Sequence, residues 1–250
     1  MPFYRILALT WLILSGSVAS AFDITAMSDE ERAAFRAEIR AYLLQNPEVI
    51  FEAVEVFEAS QAAQQTAAET DIIAANRAAI FDDGHSWVGG NPDGDVTLVE
   101  FIDYRCGFCR RAAPEVEKLL QADDNLRLVV KEFPILGAES VLMSRFAIAV
   151  HQVAGDAAYK QAHDVLMSAT GEISSPRLRR IAEDLELDAE AVLAQMQSPD
   201  VTQVIAQNRA LAQRLNIAGT PSFVLEDQIL RGFLPAAQMA SVIAQKRARD

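Results

Sequence analysis

Cys106 and Cys109 are the only cysteines in a chain of 250 residues, and they stand three apart as Cys106-Gly107-Phe108-Cys109. Upstream, Val96 to Ile102 is rich in β-branched and aromatic residues and predicts a buried strand. Downstream, Arg110 to Leu120 places Val116, Leu119 and Leu120 on one face at helical spacing. Cys106 is therefore expected where a helix begins. Unpaired backbone N–H groups and the helix dipole favour the thiolate form of a sulfur at that position. Such a sulfur is a nucleophile, and a second thiol three residues on can resolve the mixed disulfide it forms.

Other uses of the pair fit less well. A structural zinc site needs about four ligands. The three histidines, His85, His151 and His163, are scattered without metal-ligand spacing, so no metal site is expected. A purely structural disulfide would close a very short loop and stabilise little. An inert buried pair sits poorly beside Arg105, Arg110 and Arg111. A reading of another class stays open, in which the two sulfurs hold a soft ion such as Cu(I) in a copper-binding or chaperone module.

The elements that must position these thiols follow from the rest of the chain. It is 51% hydrophobic and 23% charged, enough for a sizeable core, and its net charge of −13 with no basic stripe argues against a nucleic-acid partner. Arg5, the apolar run Ile6–Leu14 and Ala19-Ser20-Ala21 read as a secretory signal peptide cleaved after Ala21. An uncleaved anchor is the alternative, though the run is short for a span. Export to the periplasm places the thiols in a disulfide-permissive compartment. One pair spaced for reactivity then points to work on other proteins' disulfides.

Residues 22–62 predict two helices. Ser28 and Glu31 form a capping box. Phe35, Ile39 and Tyr42 make one stripe, Asn46-Pro47 separates it from the next, and Ile50, Val54 and Phe57 make the second. Some forty residues cannot normally support a core of their own. These faces must bury against the main domain or against copies of themselves, and the width of the stripe favours a homo-oligomer through residues 22–62. A polar helical linker, 63–84, follows. Leu126–Phe133 is a second strand, and strand–helix–strand predicts parallel pairing. Helical patterns fill Ser140–Ala154, Asp156–Ala169, Pro176–Leu185, Asp188–Gln197 and Pro199–Leu215. His151 and His163 fall inside them and read as ordinary packing residues. A strand from Ser222, a turn at Glu226-Asp227 and a strand at Gln228–Arg231 predict an antiparallel hairpin, and Pro235–Arg249 a last helix.

Taken together, VEFIDYRCGFC, KEFPILG, a long helical block and GTPSFVL resemble the DsbA-type branch of the thioredoxin superfamily over roughly residues 85–250. The segment from Tyr42 to Glu48 is similar to ScsC-like and Com1-like members, in which it can mediate oligomerisation. The resemblance implies an α/β thioredoxin fold with a helical insertion at about 138–216, preceded by an N-terminal helical oligomerisation segment. It makes Cys106 the attacking thiolate and Cys109 the resolving thiol. It makes Pro221 a cis-proline facing them, with the backbone of Thr220 free to pair with an extended client segment. It makes Glu100 a buried acid with a raised pKa that relays a proton to and from Cys109. Lys131, on the neighbouring strand, is a candidate partner for Glu100. Gly107 and Phe108 tune the couple and line the substrate site. The implied function is an exported thiol–disulfide isomerase or reductase that needs no cofactor beyond its Cys106–Cys109 disulfide. Its partners would be cysteine-bearing client proteins and a membrane-bound DsbD-like reductant. The alternative is a DsbA-like dithiol oxidase recharged by a DsbB-like oxidant.

Overall fold

The computed structural model describes residues 24–248. The expected signal-peptide segment 1–21 lies outside them. The chain divides into two compact units, one ending at Ser60 and the other beginning at Gln61.

In the first unit, α1 (Asp29–Gln45) starts at the expected box. Ser28 Oγ accepts the Glu31 N–H at 3.3 Å, and the Glu31 carboxylate accepts the Ser28 N–H at 2.8 Å. Asn46-Pro47 ends this helix, and α2 (Glu48–Ala75) follows. The polar stretch at 60–70 continues α2 without a break, in keeping with the helix propensity of Ala and Gln. No change of secondary structure therefore marks the expected boundary at 62/63. α1 buries none of its residues, and Phe35, Ile39, Tyr42, Phe51, Val54 and Phe57 stand exposed.

The second unit contains the end of α2, α3 (Arg77–Phe81), β1 (Trp87–Gly90), β2 (Val96–Ile102), α4 (Gly107–Ala122), β3 (Leu126–Glu132) and α5 (Ala138–Ser168). It continues with α6 (Ser175–Asp184), α7 (Ala189–Gln195), α8 (Pro199–Arg214), β4 (Ser222–Leu225), β5 (Gln228–Arg231) and α9 (Ala236–Arg247). Among the described residues five strands form one sheet in the order β1-β3-β2-β4-β5. β2 and β3 are parallel, as the strand–helix–strand pattern requires, and the other neighbours are antiparallel. This is a thioredoxin-like fold whose helical insertion, α5 to α8, lies between β3 and β4. α5 breaks at Gly155, whose φ of 81° favours glycine, between the two helices that the sequence predicts there.

β2 is central and buried on both faces. Leu98 and Ile102 join Leu128 and Val130 in a core with α4 and the insertion. Val99 and Phe101 join Val129, Ile73, Ile80 and Leu211 on the opposite face. The pleat of β2 thus decides which core each of its side chains enters.

Candidate active site

The loop after β2 delivers the first cysteine. Cys106 is the N-cap of α4, in extended backbone, and its N–H donates to Asp103 O at 3.0 Å. Asp103 is fully buried and holds the loop in place. It accepts the Arg105 N–H at 2.7 Å, and across the site the Ile135 and Leu136 N–H groups at 2.8 and 2.9 Å. The polypeptide after β3 is thereby tied to the cysteine loop. Both cysteines are free thiols. Cys106 is 7% exposed and Cys109, one turn into the helix, is fully buried.

The loop before β4 faces them. Cys106 Sγ lies 3.1 Å from the Thr220 carbonyl oxygen, and the Thr220–Pro221 peptide bond is cis. The Pro221 carbonyl accepts the Gly232 N–H at 2.9 Å, which ties this loop to the end of the β4–β5 hairpin. Gly107 has open space around it, and Phe108 projects with 53% of its surface exposed. The structure thus sets the Cys106-Gly107-Phe108 turn against the cis Thr220–Pro221 bond, with Cys106 and Pro221 buried and Gly107 and Phe108 exposed.

Glu100 sits beneath. It is 3% exposed, and its Oε1 has no hydrogen-bond partner among the described residues. Burial pushes its carboxyl up to about 8. Burial also pushes the Cys109 thiol well up, and the nearby Glu100 charge adds to the effect. The two groups are therefore electrostatic neighbours, each favouring its protonated form. Glu100 also lines a cavity of about 480 Å³ between α4 and the second half of α5, together with Arg110, Glu117, Lys160 and His163.

Lys131 is not the partner of Glu100. Glu100 is in register with Val130, and Lys131 with Phe101, so the two side chains leave opposite faces of the sheet. Lys131 is fully buried and donates instead to Ala79 O at 2.9 Å and to the Asp83 carboxylate. That pairing anchors the segment after α3 to β3, and the Asp83 carboxyl stays far below the usual carboxylate range despite its burial.

Residues 97–244 match the family model of the DSBA-like thioredoxin domain. The chain belongs to that family. Residues 31–64 match the N-terminal domain of the copper resistance protein ScsC. Among solved structures, a thioredoxin-like oxidoreductase from Silicibacter pomeroyi DSS-3 is 44% identical, with 69% of this chain and 98% of that one covered at a TM-score of 0.65. BcfH from Salmonella enterica Typhimurium is 25% identical over 86% of this chain and 95% of its own, at a TM-score of 0.68. A curated relative, the Na(+)/H(+) antiporter NhaA 1 of Salinispora arenicola, is 29% identical over 143 residues, 57% of this chain but only 22% of the antiporter. The chain thus spans about a fifth of that relative's length.

Within this DsbA-like domain a second buried acid went unread in the sequence. Glu132, in the KEFP stretch, accepts the hydroxyls of Tyr104 at 2.8 Å and Tyr159 at 2.7 Å. Burial raises its carboxyl to about 7. The Tyr104 hydroxyl also lies 3.1 Å from His163 Nδ1, and burial lowers the pKa of that histidine to about 4. His163 is thus a neutral packing residue of a polar cluster, set against the rings of Tyr104 and Tyr159. An acid at the end of a strand with apolar neighbours was the available signal for Glu132. Its tyrosine partners come from elements 28 and 27 residues away and leave no local pattern.

Proposed function

We propose that the protein is an exported thiol–disulfide oxidoreductase that rearranges or reduces disulfides of client proteins in the periplasm. The observation that carries this is the placement of Cys106 Sγ at the entrance of α4, with the Thr220 carbonyl 3.1 Å away. The Cys106 thiolate attacks one sulfur of a client disulfide. A Cys106–client S–S bond forms, the client S–S bond breaks, and the electron pair leaves on the second client sulfur. The backbone beside Pro221 holds the client as an added extended strand.

Two exits follow. A different client thiolate can attack the client sulfur of the mixed disulfide, which releases Cys106 unchanged and leaves the client isomerised. Alternatively Cys109 loses its proton to Glu100 and attacks Cys106 Sγ. The Cys106–Cys109 disulfide then forms, and the client departs with two more electrons. Glu100 suits this step because its charge acts on the buried Cys109 thiol and its Oε1 has no hydrogen-bond partner among the described residues. The second exit requires a membrane-bound DsbD-like reductant to restore the dithiol. Run in reverse with a DsbB-like oxidant, the same residues would introduce disulfides.

The isomerase or reductase direction is supported by the N-terminal unit. Its exposed apolar faces and its match to the ScsC N-terminal domain support self-association, which would present several dithiols to one misfolded client. Refolding of scrambled ribonuclease tests the reading. The wild-type chain in a reducing buffer is expected to restore ribonuclease activity, and Cys106→Ser is expected to restore none above buffer. Equal recovery with both would overturn the mechanism. The redox state of Cys106 in cells separates the directions: reduced supports isomerisation, oxidised supports oxidation.

A further inference from the structure

Three arginines flank the dithiol, and they are used differently. The Arg105 guanidinium lies 3.3 Å from the Glu139 carboxylate and donates to Gly171 O. Arg110 donates to Tyr104 O at 2.8 Å. Arg111 is exposed, and among the described residues no carboxylate or carbonyl pairs with it. Its guanidinium instead stacks over two aromatic rings, 4.3 Å from the centroid of Phe108 and 5.4 Å from that of Phe233. Glu115, one helical turn further along α4, is the carboxylate spaced to meet it. That side chain is committed elsewhere, accepting the Ala236 N–H at 2.9 Å and Lys118 Nζ at 2.6 Å.

The two rings come from opposite walls of the site. Phe108 lies between the cysteines, and Phe233 follows Gly232, whose N–H is bound to the Pro221 carbonyl. A guanidinium with no ion-pair partner among the described residues is thus flanked by one ring from the α4 entrance and one from the segment after β5. Cation–π contact of this kind leaves the N–H donors of the guanidinium available. This occurs in a chain whose net charge is −13.

We infer that the Phe108–Arg111–Phe233 clasp is a specificity surface for client segments carrying an Asp or Glu close to the reacting cysteine. Arg111 is five residues from Cys106 along α4, about 7.5 Å of helix rise. Two residues of an extended client span about 7 Å and return a side chain to the same face as its cysteine. An acid two residues from the client cysteine therefore has the reach to meet the guanidinium while its cysteine meets Cys106. The aromatic faces beside it accept the apolar part of the same segment. This rests on the exchange reading of Cys106 given above and names the clients that reading leaves open.

The test uses the whole reduced protein and two peptides whose single cysteine is capped with thionitrobenzoate. The peptides differ only in carrying Asp or Lys two residues from the cysteine. Attack by the Cys106 thiolate forms the Cys106–peptide S–S bond, breaks the bond to the cap and expels it as coloured thionitrobenzoate. Each rate is divided by that of the same peptide with dithiothreitol, which removes differences in intrinsic reactivity. The Asp peptide is expected to react about two- to fivefold faster than the Lys peptide at low salt, the range of an exposed ion pair. The ratio should shrink as salt rises. Arg111→Gln should bring the ratio close to one, and Arg111→Glu should invert it. A ratio within one variant does not depend on how much of that variant is folded. A wild-type ratio that survives both substitutions would overturn the clasp. Release from neither peptide by the wild-type chain would instead overturn the exchange reading, and the clasp with it.

Discussion

Replacing Glu100 with leucine should make the protein more stable, and increasingly so as the pH rises. The carboxyl is 3% exposed, without a hydrogen-bond partner on Oε1, and burial lifts it from an ordinary 4.5 to about 8. A carboxyl with a raised folded-state pKa binds its proton more tightly in the folded chain than in the unfolded one. Its contribution is therefore neutral below pH 4.5 and grows unfavourable between 4.5 and 8, by up to about 1.4 kcal/mol per pH unit. At pH 7 the penalty is about 3 kcal/mol, and above pH 8 it approaches about 5 kcal/mol. Leucine has no proton to lose and suits a site bordered by Leu98 and Ile102. Urea unfolding of the reduced wild type and of Glu100→Leu, at intervals from pH 5 to 9, gives the difference directly. Titration of Glu132 and His163 is common to both proteins and cancels. The stability curves should diverge by several kcal/mol across that window, with the variant higher. The same variant should resolve the Cys106 mixed disulfide about a hundredfold more slowly, because Cys109 has lost its proton acceptor. Stability curves that run parallel from pH 5 to 9 would refute the reasoning, since they would mean that Glu100 is solvated or paired in the folded chain.

Two further expectations concern the supports of the site. Asp103→Ala strips the acceptor from three backbone N–H groups, those of Arg105, Ile135 and Leu136, and should cost about 3 kcal/mol in denaturant unfolding, with faster amide exchange at 135 and 136 as its local signature. Deleting residues 22–60 removes the unit whose Phe35, Tyr42, Phe51 and Phe57 are exposed. In sedimentation the longer chain should self-associate and the deleted chain should be monomeric, and the deleted chain should keep dithiol chemistry while losing efficiency on scrambled ribonuclease.

What was readable before folding, and what was not, divides by range along the chain. The capping box at Ser28 and Glu31, the strand-to-helix change at Cys106, the parallel pairing of β2 with β3, the break at Gly155 and the terminal hairpin all rest on residues close in sequence or on short-connection rules. Pattern and spacing are sufficient there, because a helix start or a pleat is decided by its immediate neighbours. The family motif added Pro221, more than a hundred residues from Cys106, which no local pattern reaches.

Pairings across the sheet were of another kind. Lys131 could be placed one strand from Glu100, but register puts it on the far face, and its partner Asp83 comes from the end of the linker. Glu132 looked like an ordinary strand residue until Tyr104 and Tyr159 closed over it from the cysteine loop and from α5. Arg111 was visible as a charge beside the motif, yet its lack of a carboxylate partner among the described residues depends on Glu115 having turned to α9. The amino-acid order specified which elements form and which atoms are reactive, since those follow from local backbone energetics. The assembled fold alone decided which charges are buried, which are paired and which are left facing solvent, because burial and pairing belong to the packing of distant segments and to no segment by itself.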